Sequence, residues 1–313
     1  MTEIMTYSGA IDVTIREEMR RDPTIFMYRS GKPSKDYADE FGWERVSACG
    51  VCETQMVGAG VGAALAGTRP IVNLAMSDFA VDAWGQLVLQ AAKMRFKIGY
   101  RLDCPVVFMM SIASGRGLSV HHSGCYHNWL ANAPGLLTVI PSTPADVRGL
   151  WRTALRTAKD PVCMLTSAGI GKGPVPEDDY TIPFGKADIK REGSDVTIVA
   201  IGYWVGVALE VAEDLAKEGI DVEVWDPRTL TPFDRESLIK SVRKTGAMVV
   251  VDQAPKSFGT TGEFMATVAE ALRPIPPMAR VAAMDVPIGF SPPLEQYALP
   301  NKDKIIDAVK KVL

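Results

Sequence analysis

The chain has 313 residues, 47% hydrophobic and 23% charged, and its 34 Lys and Arg against 37 Asp and Glu leave a formal net charge of -3. That composition belongs to a globular protein long enough for one large or two ordinary domains, and it excludes a nucleic-acid binder: Lys302, Lys304, Lys310 and Lys311 read as the wet face of a C-terminal helix. The apolar stretches are too short for a membrane span, residues 1–11 have no charged start leading into an apolar run, and an odd count of five cysteines is no disulfide framework, which together point to the cytoplasm.

In chain order, residues 7–20 read as a helix in which Ile11, Val13, Ile15 and Met19 are interleaved with charge. Residues 56–66 are small and apolar throughout, a buried helix ended by Gly67, and 70–76 form a strand. Residues 80–96 read as one long helix with Trp84, Leu87, Val88, Ala91 and Met94 on its apolar face. Strands at 105–112 and 136–141 follow, then a helix near 146–156 whose start is set by Ser142-Thr143-Pro144, and a short strand at 161–166. Residues 169–185 are rich in Gly, Pro and acids, lack periodicity and read as an interdomain connector. Beyond it the alternation restarts, with strands at 196–201, 222–225 and 247–252 and helices at 205–217, 236–244 and 262–272. The pattern predicts an α/β protein with two parallel-sheet domains, near residues 1–180 and 190–313.

Four constellations carry candidate chemistry. Glu53 directly precedes the small-residue helix, where the macrodipole favours a carboxylate by a few tenths to about 1 kcal/mol; read from position alone it is a first-turn acid. Gly58-Ala59-Gly60-Val61-Gly62-Ala63 fits a dinucleotide fingerprint, with Asp78 at the ribose position, but it follows helix rather than strand. Its glycines are therefore expected to admit a close neighbour. Cys49 and Cys52 lack two further zinc ligands and read as buried structural cysteines. The three histidines, His121, His122 and His127, sit in a glycine-rich loop after a strand, the usual place for catalytic groups. No neighbouring carboxylate completes a metal site there, so a proton-handling histidine is the reading preferred over metal or plain surface residues.

Taken in order, these pieces resemble the beta subunits of 2-oxo acid dehydrogenase decarboxylase components, those of the pyruvate, branched-chain and acetoin systems. The motifs are ETQMVGAGVGAALAGTRP at 53–70, Asp78-Phe79, Gln86, QAAKMR at 90–95 and Gly115-Arg116-Gly117 through His122-Ser123. PGL at 134–136, PSTPAD at 141–146, RTLTP at 228–232 and VDQAP at 251–255 extend the likeness over nearly the whole chain. The resemblance implies a transketolase-like pyrimidine-binding domain at 1–180 followed by a transketolase C-terminal-type domain at 190–313. It implies thiamine diphosphate bound between unlike subunits of an α2β2 heterotetramer, with Mg2+ held by the alpha subunit, since this chain contains no Gly-Asp-Gly. Glu53 would hydrogen-bond the aminopyrimidine ring nitrogen, Phe79 would stack on that ring, and Gln86 would lie beside the cofactor. His122, with His121 and Ser123 in the same loop, would serve the substrate or the acyl-transfer step. The activity implied is decarboxylation of a 2-oxo acid with acyl transfer to the lipoyl group of an acyltransferase core. The alternative is a non-oxidative carboligase, transketolase-like transferase or carbon–carbon lyase. Departures cluster near the substrate: Phe26-Met27-Tyr28-Arg29-Ser30-Gly31 lacks the family's acidic pair, Gly85 stands where an aspartate is common, and residues 163–170 replace the segment that holds potassium in some members.

Overall fold

The computed structural model describes residues 2–31 and 35–313; Met1 and residues 32–34 lie outside the description. The chain divides into two compact units, Met1–Ser111 with Trp129–Thr166 and Gly171–Phe184, and Ile112–Asn128 with Ser167–Ile170 and Gly185–Leu313. Each is built on a mostly parallel sheet with helices packed on it, the α/β architecture that the motifs imply.

In the first unit the strands are β1 (Thr2–Thr6), β2 (Ile25–Ser30), β3 (Val46–Cys49), β4 (Arg69–Met76), β5 (Val107–Ile112), β6 (Leu137–Val139), β7 (Val162–Ser167) and β8 (Lys172–Pro176). The main sheet runs β6-β7-β5-β4-β2-β3, and its recorded pairings are parallel. Its central strands carry Ile71, Val72, Val107 and Phe108 with no exposure, as near-continuous apolar strands covered on both faces must. Helix α1 (Tyr7–Arg21) starts where the Thr6 hydroxyl accepts from Gly9 N–H. The helix expected from Ser142-Thr143-Pro144 spans Pro144–Arg156, with Thr143 capping Asp146 N–H and proline in the first turn.

Two local expectations are corrected. Residues 80–96 are not one helix. A 3-10 segment, Ser77–Val81, gives way to a π-helical turn, Gln86–Ala91, and then to α-helix at Ala92–Lys97. Apolar periodicity registers a buried face but not the hydrogen-bond class, and Gly85 at the junction is a poor helix former. Nor is 169–185 a structureless connector. Residues Lys172–Pro176 form β8, antiparallel to β1, with Val175 buried. Its two prolines are tolerated because the strand sits in a two-stranded edge ribbon. The chain then lies on α-helix Pro144–Arg156, where the Tyr180 hydroxyl donates to Ala145 O and Ile182 N–H to Gly149 O. A Cβ on Gly149 would fall 2.4 Å from Ile182, so glycine is needed for that approach.

The second unit contains β9 (Asp188–Arg191), β10 (Val196–Ala200), β11 (Val222–Asp226), β12 (Thr229–Thr231), β13 (Met248–Pro255) and β14 (Met278–Ala283). Its sheet runs β14-β13-β10-β11-β9, parallel except for β9 at one edge. Helices Trp204–Lys217 and Lys302–Val312 bury Ala208, Val211, Leu215, Ile305 and Val309 against Ile198, Val224 and Val249. Each valine, leucine or isoleucine among them contributes about 1.5–3 kcal/mol on burial. Among the described residues no helix is long and apolar enough to cross a membrane.

Candidate active site

Glu53 is the first residue of α-helix Glu53–Leu65, which leaves the carboxyl end of β3. Open α/β sheets place ligands at that edge. The helix is packed tightly onto β4: a Cβ on Gly60 would lie 2.5 Å from the Val72 side chain. Gly60 alone of the three glycines makes this approach, since a Cβ on Gly62 would meet open space. The dinucleotide-like pattern lies wholly inside a helix, so its N–H groups cannot cradle a phosphate, as the sequence context indicated.

The Glu53 side chain is only 7% exposed. Among the described residues it makes no hydrogen bond and no ion pair. A buried carboxylate normally finds partners, because leaving one without them costs several kcal/mol. The helix N-terminus offsets a part of that, about 1 kcal/mol.

Two neighbours frame the same helix. The Thr54 hydroxyl donates to Asp82 O at 2.6 Å, tying the first helical turn to the end of the 3-10 segment that carries the half-buried Phe79. Gln86, on the π turn, brings its Oε1 to 3.9 Å from where a Cβ on Gly58 would stand. Gln86 thus lies beside the first half of the helix that Glu53 begins, and Phe79 sits on the segment tied to its first turn. The π turn is the unusual element, and such turns recur at functional sites. Cys49 and Cys52 are not the buried pair expected: Cys49 is half-buried and Cys52 exposed, since one ends an edge strand and the other caps the helix.

His121, His122 and Ser123 belong to the second unit, in the loop spanning 112–128. His121 is exposed, His122 half-buried and Ser123 buried. The Ser123 hydroxyl has no partner among the described residues, while its carbonyl accepts from the Ser114 hydroxyl at 2.7 Å. Gly115 and Gly117 take positive φ and aim both N–H groups at the buried Glu295 carboxylate, at 2.7 and 2.9 Å.

His127 separates from the other two histidines. It is fully buried, and its Nε2–H donates to Asp252 Oδ2 at 2.8 Å while Nδ1 lies 3.0 Å from the Cys125 thiol. The Thr260 hydroxyl also donates to Asp252. Burial pulls against the imidazolium, but the Asp252 charge overcomes it and raises the His127 pKa well above its ordinary value. Burial likewise opposes ionised Asp252, yet His127 and Thr260 hold that carboxyl below the usual range, and burial pushes the Cys125 thiol up. Cys125, His127 and Asp252 are close enough to share an ion. Their geometry is instead a hydrogen-bonded chain, because the imidazole stands between thiol and carboxylate and spends a nitrogen on each. Sequence reading missed Asp252 and Glu295 as partners of this loop; the only signal was that both lie in short family motifs or near the C-terminus.

Comparison with known proteins agrees over the full length. Residues 3–171 match the transketolase pyrimidine binding domain and residues 185–305 the transketolase C-terminal domain. The chain is 36% identical to the 2-oxoisovalerate dehydrogenase subunit beta of Bacillus subtilis (strain 168), across 99% of this chain and 98% of that one. It is 36% identical to the mitochondrial pyruvate dehydrogenase E1 component subunit beta-1 of Arabidopsis thaliana, across 98% and 89%. It is 34% identical to the acetoin:2,6-dichlorophenolindophenol oxidoreductase subunit beta of Bacillus subtilis (strain 168), across 100% and 98%. Among solved structures, a split gene transketolase in an inactive beta4 tetramer superposes with a TM-score of 0.82 at 24% identity, covering 99% of this chain and 98% of that one, a likeness of fold. A chain that carries both transketolase domains and these identities from end to end belongs to the family of 2-oxo acid dehydrogenase beta subunits.

Proposed function

We propose that this chain is the beta subunit of a thiamine-diphosphate-dependent 2-oxo acid dehydrogenase and that Glu53 is its cofactor-activating residue. The observation that carries the reading is the buried Glu53 carboxylate at a helix start, without a partner among the described residues. An aminopyrimidine ring nitrogen bearing a proton is the donor such a carboxylate lacks, and the match of residues 3–171 to a pyrimidine-binding domain supports that choice. Thiamine diphosphate, when bound, supplies the electron sink for loss of carbon dioxide from a 2-oxo acid. Glu53 holds the proton at the ring nitrogen, Phe79 offers an aromatic face to the pyrimidine, and Gln86 lies at the side of the same helix. His122 donates or withholds a proton at the substrate, which its half-exposed position permits. The chain works in an α2β2 heterotetramer whose alpha subunit holds Mg2+, in keeping with the absence of Gly-Asp-Gly here. The acyl group passes to a lipoyl acyltransferase.

The test is turnover of 2-oxo acids by the chain with its alpha subunit, magnesium and thiamine diphosphate, with and without an artificial electron acceptor, for wild type and Glu53→Gln. Acceptor-dependent turnover lost in the variant is the expected result. Turnover that needs no acceptor would place the chain among carboligases or lyases, and turnover that survives Glu53→Gln would remove Glu53 from its assigned role.

A further inference from the structure

The loop spanning 112–128 is secured from three sides within its own unit, and its histidines lie between the fastenings. At its start the Gly115 and Gly117 N–H groups hold the Glu295 carboxylate. Arg116 turns outward, donates to Ala168 O at 3.1 Å and lies over the Tyr203 ring. In the middle the Ser114 hydroxyl reaches across to Ser123 O. At its end His127 is buried against Asp252, and the Asn128 amide donates to Phe258 O at 3.2 Å. The first two fastenings use loop backbone groups, a serine and the outward-facing Arg116. The last is different, since it ties the loop to β13 through one charged side-chain bond inside the core, between partners 125 positions apart in the chain.

Fully buried, neither His127 nor Asp252 can meet a substrate, and the function proposed above leaves both without a task. The pair is also costly to keep. Two ionisable groups taken out of water often stabilise a fold no better than apolar residues of the same size, and fixing one geometry is the best-attested use of such a pair. Asp252 is itself held in place by Thr260 and by Ala254 N–H at 3.3 Å, so it presents a rigid acceptor. Loop backbone three to five residues upstream carries His122, Ser123 and Gly124, and a buried bond at 127, with the Ser114 bond to Ser123 O, limits how far it can swing.

We propose that His127 is a positioning residue: its Nε2–H bond to Asp252 sets the conformation of the loop that bears His122, and turnover depends on that bond. The inference rests on the role given to His122 above.

The experiment compares His127→Gln with His127→Asn in the reconstituted complex with alpha subunit, magnesium and thiamine diphosphate. Glutamine places an N–H donor at the reach of Nε2, toward Asp252. Asparagine places one at the reach of Nδ1, toward Cys125, and leaves Asp252 with Thr260 and Ala254 N–H but no donor from the loop. Expected is a kcat within about threefold of wild type for the glutamine variant and a fall of roughly tenfold or more for asparagine, with KM for the 2-oxo acid and the affinity for thiamine diphosphate little changed in both. Hydrogen exchange of the 112–128 segment should quicken in the asparagine variant and not in the glutamine one. Equal kcat in the two variants, or a parallel loss of kcat, KM and cofactor affinity in both, would overturn the proposal. Glu53→Gln assayed alongside separates the two readings: its retained turnover sinks the cofactor role, whereas a lost one with equal His127 variants sinks only the positioning role.

Discussion

Two buried carboxylates, one in each unit, stand near the carboxyl ends of parallel strands and have opposite surroundings. Asp252, in β13, is 1% exposed and accepts from His127, Thr260 and Ala254 N–H. Glu53, just past β3, is 7% exposed and accepts from nothing among the described residues. Burial costs an ionised carboxylate solvation, most heavily at Asp252, the more buried of the two. At Asp252 the cost is met inside the fold, and the carboxylate serves structure. At Glu53 no partner among the described residues meets it, and the cofactor role proposed above would supply one.

The comparison breaks most readily at Glu53. Glu53→Gln should lower turnover of the complex by on the order of 10²–10⁴-fold, while the thermal midpoint of the chain stays level or rises, because a neutral amide is easier to bury. A marked fall in that midpoint would mean that Glu53 has a structural partner after all. Asp252→Asn should act the other way, through stability. Removing one member of a buried pair leaves its partner uncompensated and costs about 3 kcal/mol, read from the urea midpoint at neutral pH. No loss there would mean that the pair contributes nothing.

A smaller effect sharpens the contrast by pH. The His127 pKa is raised, so its contribution to stability is complete below the ordinary histidine value and fades as pH climbs through the raised one. The Asp252 pKa is lowered, so its share is present above the ordinary carboxylate value and lost as pH falls through the lowered one. The stability difference between wild type and His127→Gln should therefore be widest near pH 5–6, roughly, and narrow toward alkaline pH. A difference that grows with pH contradicts the assignment. The smallest effect concerns thiols. The exposed Cys52 should react first with a thiol reagent in the native chain, Cys49 more slowly, and Cys104, Cys125 and Cys163 only after unfolding. Burial pushes Cys104 up to about 11 and raises Cys125 and Cys163 as well, so these three hold little thiolate. Fast modification of more than the first two would show that the core opens.

Much of this molecule is written locally. The alternation of apolar runs with capped helices carries the α/β class, because strand and helix periods and caps such as Thr143 are properties of neighbouring residues. Glu53 and the small-residue helix behind it are legible as one contiguous string. Tertiary structure decided the rest. The break at 77–91 depends on what the segment packs against, which periodicity does not encode. Residues 172–176 became a strand because β1, at the far end of the first unit's sequence, offered an edge. His127 left the histidine trio because its partner lies 125 residues away, and only folding could show that one histidine is buried against an aspartate while its neighbours remain near solvent. Local propensity is fixed by adjacent side chains. Pairing and desolvation are set by whichever distant groups the fold brings within hydrogen-bond reach, and these decide which carboxylate is satisfied and which is left open.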